Sequence, residues 1–346
     1  MIAIDGAQGG GQILRTAVSY SALSGRPIRV INIRGARPKP GLRAQHLLAV
    51  NATAELCGAR VSGAREGSTE IEFAPGPIAP PVTWNLEVGT AGSVMLILQA
   101  LLPCLAVAGK PVDVTLTGGT NNPWAPPFEY FRWVLLPQLE RMGVRVAAEL
   151  VSRGFYPKGG GRLRVRVHCA DRIEPVALRE RGRLRRLWGI AYSSNLSEHI
   201  VERMARACRD RLASEGFTSE EFSTDTAKQA ASPGCGVIAL AEFEHSVIAG
   251  DALGERGKPA EKVGREAAGN IARAIRSGAP VDAHLGDQLV PWVALAEGDS
   301  VYVAARRTDH LVSAVAVAEQ MIGARFDISG EEPVEVRCRG VGLRGG

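Results

Sequence analysis

The chain has 346 residues, of which 45% are hydrophobic and 22% charged, a balance that excludes a disordered tail or a membrane bundle and suits one large folded unit with a smaller second one. Its net charge of +5 is compatible with an acidic partner such as nucleic acid but too mild to demand one. The six cysteines (Cys57, Cys104, Cys169, Cys208, Cys235 and Cys338) are widely separated and form no CxxC pair, which argues against a zinc or redox motif and for a reducing compartment.

The chain opens on the strand-like Met1–Asp5 with no basic-then-apolar leader, and its most apolar stretch, Val94 to Gly109, is broken by Gln99 and Pro103 and too short to span a bilayer. A cytoplasmic protein without membrane contact is therefore expected. Periodicity then predicts a helix over Gly10–Ser24, a strand over Pro27–Arg34 and a helix over Leu42–Cys57, with short strands at Ala59–Ser62 and Thr69–Phe73. Gly25 and Gly58 stand just past the two helices, where a left-handed cap is needed. The order recurs as a strand at Trp84–Val88, a helix at Ala91–Ala108, a strand at Val112–Thr117, a helix at Pro127–Met142 and strands at Val144–Leu150 and Arg162–His168. Two β-α-β-α-β-β units, about 80 residues apart, are an internal repeat.

A third unit closes the chain, with a helix at Leu285–Leu295, a strand at Ser300–Ala305, a helix at His310–Ile322 and strands at Arg325–Ile328 and Val334–Cys338. Its first strand is expected near Glu174–Leu178. The intervening block has its own pattern: a strand at Leu187–Tyr192, a helix at Ser197–Ala213, a strand at Gly236–Phe243 and a helix at Ala260–Arg276. The expected fold class is α/β (α+β): a large domain of three β-α-β-α-β-β repeats over residues 1–182 and 281–346, with a small α/β domain, 183–280, inserted in the third repeat.

Loops at matching places in each repeat carry the candidate chemistry. Asp5–Gln12 joins a strand to a helix through a glycine run that can present backbone N–H groups to an anion, although no Gly-Lys-Ser/Thr follows to make it a P-loop. Arg15 lies one turn further on, facing that space or solvent. Arg34–Arg43 holds four cations among two prolines and two glycines, a stiffened loop suited to phosphate oxygens or simply a solvated basic turn. The corresponding segments are Gly89–Ser93 and Gly118–Pro127 in the second unit, and His284–Gln288 and Arg306–His310 in the third. Thr308 or Asp309 would cap the last helix, placing His310 in its first turn, where the helix dipole disfavours the imidazolium. Taken alone, such a histidine is ordinary.

These segments together resemble the RNA 3'-terminal phosphate cyclase family over nearly the whole chain. The resemblance rests on Asp5-Gly6, Gly9–Arg15, Lys39–Leu42 with Gln45-His46, Gly89–Ser93, Gly118–Thr120, Ala125–Pro127, Gly154–Gly161, Asp287–Leu289 and His310. It implies that His310 attacks the α-phosphate of ATP to form a histidine–AMP, and that the AMP passes to an RNA bearing a 3'-terminal phosphate. The neighbouring 2'-hydroxyl then closes a 2',3'-cyclic phosphate. It implies further that Gln99, His284, Leu285, Gly286, Asp287 and Gln288 line the nucleotide site, that Arg15, Arg34, Arg37 and Gln45 hold phosphates, and that Mg²⁺ or Mn²⁺ accompanies ATP. The glycine loop is two residues shorter than the family's usual form and lacks its glutamate, so no metal ligand is assigned. His284 stands where tyrosine is common. An oligomer is possible but not indicated. Two alternatives stay open at this point: a non-catalytic relative that binds RNA in ribosomal-RNA processing, and an enolpyruvyl transferase of related repeat architecture.

Overall fold

The computed structural model describes residues 1–220, 222–226 and 229–344. The first repeat consists of β1 (Ile2–Asp5), α1 (Gln12–Ser24), β2 (Ile28–Ile31), α2 (Ala44–Cys57), β3 (Arg60–Ser62) and β4 (Ile71–Ala74). Its sheet runs β1-β2-β4-β3, with β1 and β2 parallel and the last two strands antiparallel. The second repeat repeats that order with β5 (Thr83–Glu87), α3 (Val94–Ala106), β6 (Val112–Gly118), α4 (Phe128–Tyr130), a π turn (Phe131–Leu135), α5 (Leu136–Arg141), β7 (Val146–Ser152) and β8 (Gly161–Val167). The third begins with β9 (Ala177–Leu178).

The inserted unit follows β9 and comprises β10 (Leu184–Ser194), α6 (His199–Ser214), β11 (Ser223–Asp225), β12 (Gly234–Phe243), β13 (Val247–Leu253) and α7 (Ala260–Arg276). The third repeat then resumes with α8 (Ala283–Gln288), α9 (Val290–Leu295), β14 (Asp299–Ala304), α10 (Asp309–Ile322), β15 (Arg325–Gly330) and β16 (Val334–Arg339). Its sheet, β9-β14-β16-β15, has the strand order and the directions of the other two. The structure therefore has the α/β class and the three-repeat architecture with an inserted α/β unit. No helix among the described residues is long and apolar enough to cross a membrane.

Each sheet turns one face inward because its sequence alternates. In β8, buried Leu163, Val165 and Val167 alternate with exposed Arg162, Arg164 and Arg166. α3 is apolar almost all round and is buried along nearly its whole length, as a helix enclosed by others must be. α1 packs on α2, α3 and α10, so the helices of all three repeats share one core. The insert has a second core between its sheet and α6 and α7, built on Met204, Cys208, Val263 and Ile271. The opposite face of its sheet contributes Ile238, Leu240 and Ala249 to the main core.

Several boundaries depart from the sequence expectation for identifiable reasons. The helix expected from Ala91 starts at Val94 because the Ser93 hydroxyl accepts the Leu96 N–H at 3.4 Å and caps it. The helix expected over Leu285–Leu295 divides at Leu289, where Pro291 cannot donate to a preceding carbonyl. Strands β11 and β13 were not anticipated. β13 carries Gly250, where a Cβ would collide with the backbone of α7 at Ile271. Close helix packing there requires small residues, which weaken the usual β-branched signal.

Candidate active site

In each repeat the loops that carry the candidate residues leave the same end of the sheet, the C-terminal end of its parallel strand pair. Asp5 pairs with Ile31 at that end of the first sheet and Glu87 with Thr117 at that of the second. The glycine loop Gly9–Gly11 sits where three repeats meet. Gly10 has a positive φ of 62° and lies against the Arg37 guanidinium, while a Cβ on Gly11 would collide with the His46 ring and with Arg15. Glycine is required there because neighbouring side chains close directly on the backbone.

Arg15, on α1, is only 8% exposed. Its Nη2 lies 3.4 Å from Gln99 Oε1 on α3, and its Nε is buried with no partner among the described residues. Burial lowers the Arg15 pKa to about 10, and the charge of Asp287 opposes that shift. Asp287 lies on α8, where burial raises its pKa to about 7 while His284 and Arg15 pull the other way. A buried guanidinium and a half-neutralised carboxylate thus face one another beneath the loops.

His310 is the second residue of α10 and is exposed. Thr308 caps the helix by accepting the Leu311 N–H at 3.0 Å. Partial desolvation of the ring, followed by the charges of Arg15 and Arg37, lowers the His310 pKa below the ordinary histidine value. The helix start is held against the first repeat by Gln12 Nε2, which donates to the His310 carbonyl at 3.4 Å, and within the helix Ser313 Oγ donates to the Asp309 carbonyl at 2.5 Å. A second histidine, His46, has its pKa lowered to about 3, by burial first and then by Arg15, Arg34 and Arg43. Its Nδ1 accepts the Arg43 N–H at 3.2 Å, so in the neutral ring the proton resides on Nε2 and no lone pair is left for attack. His310 has no such ring contact among the described residues.

The remaining candidates divide into two groups. Gln45 Oε1 accepts the Ser93 N–H at 2.8 Å and joins the first repeat to the glycine-containing turn of the second. His284 is exposed, edge-on to the Tyr130 ring at 6.3 Å, and its carbonyl accepts from Gln288 Nε2 at 3.2 Å. Arg34, Leu285 and Gly286, by contrast, do not present side chains to this space. Arg34 Nη1 donates to the carbonyls of Lys39 and Gly41 at 2.9 and 2.7 Å and holds its own loop. Leu285 is fully buried in the core, and the Gly286 carbonyl accepts from Tyr302 Oη at 2.7 Å. Arg34 thereby braces the Lys39–Gly41 loop, while Leu285 and Gly286 anchor the turn that carries His284 and Asp287.

Three residues not singled out from the sequence complete the surroundings. Tyr130 Oη donates to Asp282 Oδ1 at 2.6 Å. Asp282 also accepts the N–H groups of His284 and Leu285, and that of Ala249 from the insert at 3.1 Å. Asp251, on β13, has its pKa raised by burial and senses His284 and Asp282. The insert thus reaches the third repeat's site through β13. A capping pattern at Asp282 was readable in the sequence, whereas Asp251 had no local signal.

Among the described residues no group of three His, Cys, Asp or Glu side chains stands ready for a metal ion. Asp5 Oδ1 accepts from Ala7 N at 2.9 Å and Asn32 Nδ2 at 3.2 Å, so the one acid beside the glycine loop braces the loop itself. The side chains do not form a divalent-ion cage. What the site offers is an imidazole whose pKa is lowered near two guanidiniums, an arrangement able to attack an electrophilic phosphorus while compensating the charge of a polyphosphate.

Asp287 also carries a stability consequence. Its unfolded carboxyl loses its proton near the ordinary value of 3.8 and its folded one near 7, so its contribution is full below about pH 4 and is lost as pH rises through 7. Asp287→Asn is expected to raise the thermal midpoint relative to wild type at pH 8 more than at pH 5. Equal shifts in thermal denaturation at the two pH values would contradict the buried, raised carboxyl.

The protein-family model described as RNA 3'-terminal phosphate cyclase matches residues 7–328. The chain is 46% identical over 344 residues to the RNA 3'-terminal phosphate cyclase of Thermococcus onnurineus (strain NA1), covering 98% of this chain and 99% of that protein. It is 43% identical over 345 residues to the protein of the same name from Pyrobaculum neutrophilum, with 99% of each chain covered. Among solved structures, the enolpyruvyl transferase NikO from Streptomyces tendae matches with a TM-score of 0.43 and 13% identity, over 99% of this chain and 49% of that one. That likeness is too distant to carry an argument.

Proposed function

The chain belongs to the RNA 3'-terminal phosphate cyclase family, and from that premise we propose that it converts an RNA 3'-terminal phosphate into a 2',3'-cyclic phosphate at the expense of ATP. The observation that carries this reading is His310, set at a capped helix start where the charges of Arg15 and Arg37 help to lower its pKa. Its free ring nitrogen attacks the α-phosphorus of ATP; a P–N bond forms, the α–β bridging P–O bond breaks, and pyrophosphate leaves. An oxygen of the RNA 3'-phosphate then attacks the phosphorus of the histidine–AMP, breaking the P–N bond and forming an anhydride. Finally the 2'-hydroxyl attacks the RNA phosphorus, gives up its proton and expels AMP, a far better leaving group than an unactivated phosphate oxygen.

Arg15 and Arg37 compensate phosphate charge in these steps, and Gln99 positions Arg15. Arg34 and Gln45 hold the two loops in place from below. His284, Asp287 and Gln288 border the nucleotide. A Mg²⁺ or Mn²⁺ ion accompanying ATP would supply compensation of polyphosphate charge, and no group of three His, Cys, Asp or Glu side chains among the described residues would hold it. The proposed division is a catalytic domain of residues 1–182 and 281–346 with 183–280 inserted, acting in the cytoplasm.

The reading is tested by incubating the protein and ATP with two RNAs that differ only at the 3' end. The 3'-phosphate RNA is expected to acquire a phosphatase-resistant end, with release of one AMP and one pyrophosphate, while the 3'-hydroxyl RNA stays unchanged. Joining of the hydroxyl end would identify a strand ligase instead, and no change in either RNA would favour the non-catalytic alternative.

A further inference from the structure

Two large aromatic side chains stand out from the surface of a chain that is otherwise poor in aromatics. Trp124 is 98% exposed and Tyr156 is 74% exposed, although burying either ring would be favourable by itself. Both lie in loops leaving the end of the second sheet that bears the candidate residues, where Gly118 of β6 pairs with Gly161 of β8. The two loops are bonded together: the Thr120 and Asn121 N–H groups donate to the Gly154 carbonyl at 2.9 and 3.3 Å, and the Gly154 N–H donates to Thr120 Oγ1 at 3.0 Å. Neither loop is loose. Phe155, beside Tyr156, is buried and stacks on Tyr192 at 6.5 Å, and Trp124 is followed by Ala125-Pro126-Pro127, which lead into α4.

The same end of the sheet carries cations without counterions. Lys158 and Arg162 are exposed and make no ion pair with any described residue, while Arg164 and Arg166, further along β8, approach Glu149 and Asp113 at 3.5 and 3.4 Å. The loop holding Trp124 leads into α4, whose buried Tyr130 ring lies 6.3 Å from the ring of His284. Exposed rings on rigid loops together with unpaired cations are the composition of a surface that stacks unpaired bases and follows a phosphate backbone.

We propose that Trp124 and Tyr156, with Lys158 and Arg162, form a stacking platform for the single-stranded nucleotides that precede the RNA 3' end. This rests on the cyclase reading above. The rings take bases by their faces, which every base has, and the cations take the intervening phosphates, so the platform is tolerant of sequence and requires unpaired nucleotides.

The test uses the full-length protein and its Trp124→Ala, Tyr156→Ala and Trp124→Phe variants in two assays. Labelling by α-labelled ATP without RNA is expected to be unchanged in all three, which shows that fold and ATP chemistry survive. In the second assay, KM for a 3'-phosphate RNA with an unpaired end is expected to rise about tenfold in each alanine variant and less in Trp124→Phe. A duplex RNA carrying a blunt 3'-phosphate end should be a poor substrate for wild type and show little further loss in the variants. Wild-type KM values for the single-stranded RNA in both alanine variants would overturn the platform while leaving the cyclase reading intact, and so would equal losses on blunt duplex and single-stranded ends. Absence of labelling and cyclisation in the wild type itself would instead overturn the cyclase reading.

Discussion

His310→Ala is expected to abolish transfer of label from α-labelled ATP to the protein, and with it cyclisation, by at least about four orders of magnitude, which corresponds to about 5.5 kcal/mol of barrier. The effect is large because the bond to AMP is made by this ring. His46, the nearest rival, spends its Nδ1 lone pair on the Arg43 N–H, so His46→Gln should still label. The labelled wild type should carry the acid-labile, alkali-stable bond of a phosphoramidate. Labelling of His310→Ala at the wild-type rate would refute the assignment. The pH profile supplies a second check. Because the His310 pKa is lowered, the labelling rate should begin to fall at a more acidic pH than an ordinary histidine would give.

The second large effect is expected at Arg153, which is remote from the chemistry. Its side chain and that of Glu129 are each 2% exposed, and they form an ion pair between β7's end and α4. Arg153 also bonds Asp225 of the insert at 2.7 Å, and its guanidinium lies 4.1 Å from the Tyr192 ring centroid. Glu129's second oxygen accepts from Asn121 Nδ2 at 2.8 Å. Arg153→Met leaves a carboxylate buried without its cation and is expected to cost about 3–5 kcal/mol, seen as a lower urea midpoint. Adding Glu129→Gln should recover most of that loss, because the penalty belongs to the uncompensated charge. An additive double variant would show that the pair is not coupled. Since Asp225 belongs to the insert, Arg153→Met should also speed proteolysis of the two connections to that unit.

Most of the architecture was legible because it is local. Alternation in β8, the helical periods of α1 and α7 and the glycines after α1 and α2 are written within a few residues of each other. The site was legible in part. Thr308 before His310 announced a capped helix, and the bond from Thr308 to Leu311 has that geometry. Arg34 read as a phosphate ligand because a cation in a proline-stiffened loop looks the same whether its guanidinium points to a ligand or back to Lys39 and Gly41. Leu285 and Gly286 were grouped with Asp287 by the family resemblance; a helical turn sends neighbours in different directions, and the Leu285 side chain lies in the core.

By itself, then, the amino-acid sequence determined the three-fold repeat and the presence of an inserted unit, and made His310 the candidate nucleophile through the order of its motifs, since each depends on patterns or motifs read along the chain. Only the tertiary structure decided that Arg15 lies buried against Gln99 and within reach of Asp287, that His46 is disarmed while His310 is free, and that Arg153 ties the second repeat to the insert. Apart from the bond between Arg43 and His46, three positions apart, those relations join residues tens to hundreds of positions apart. Their energies depend on burial and on which charges face one another, quantities that come into existence only when the repeats close on a common core.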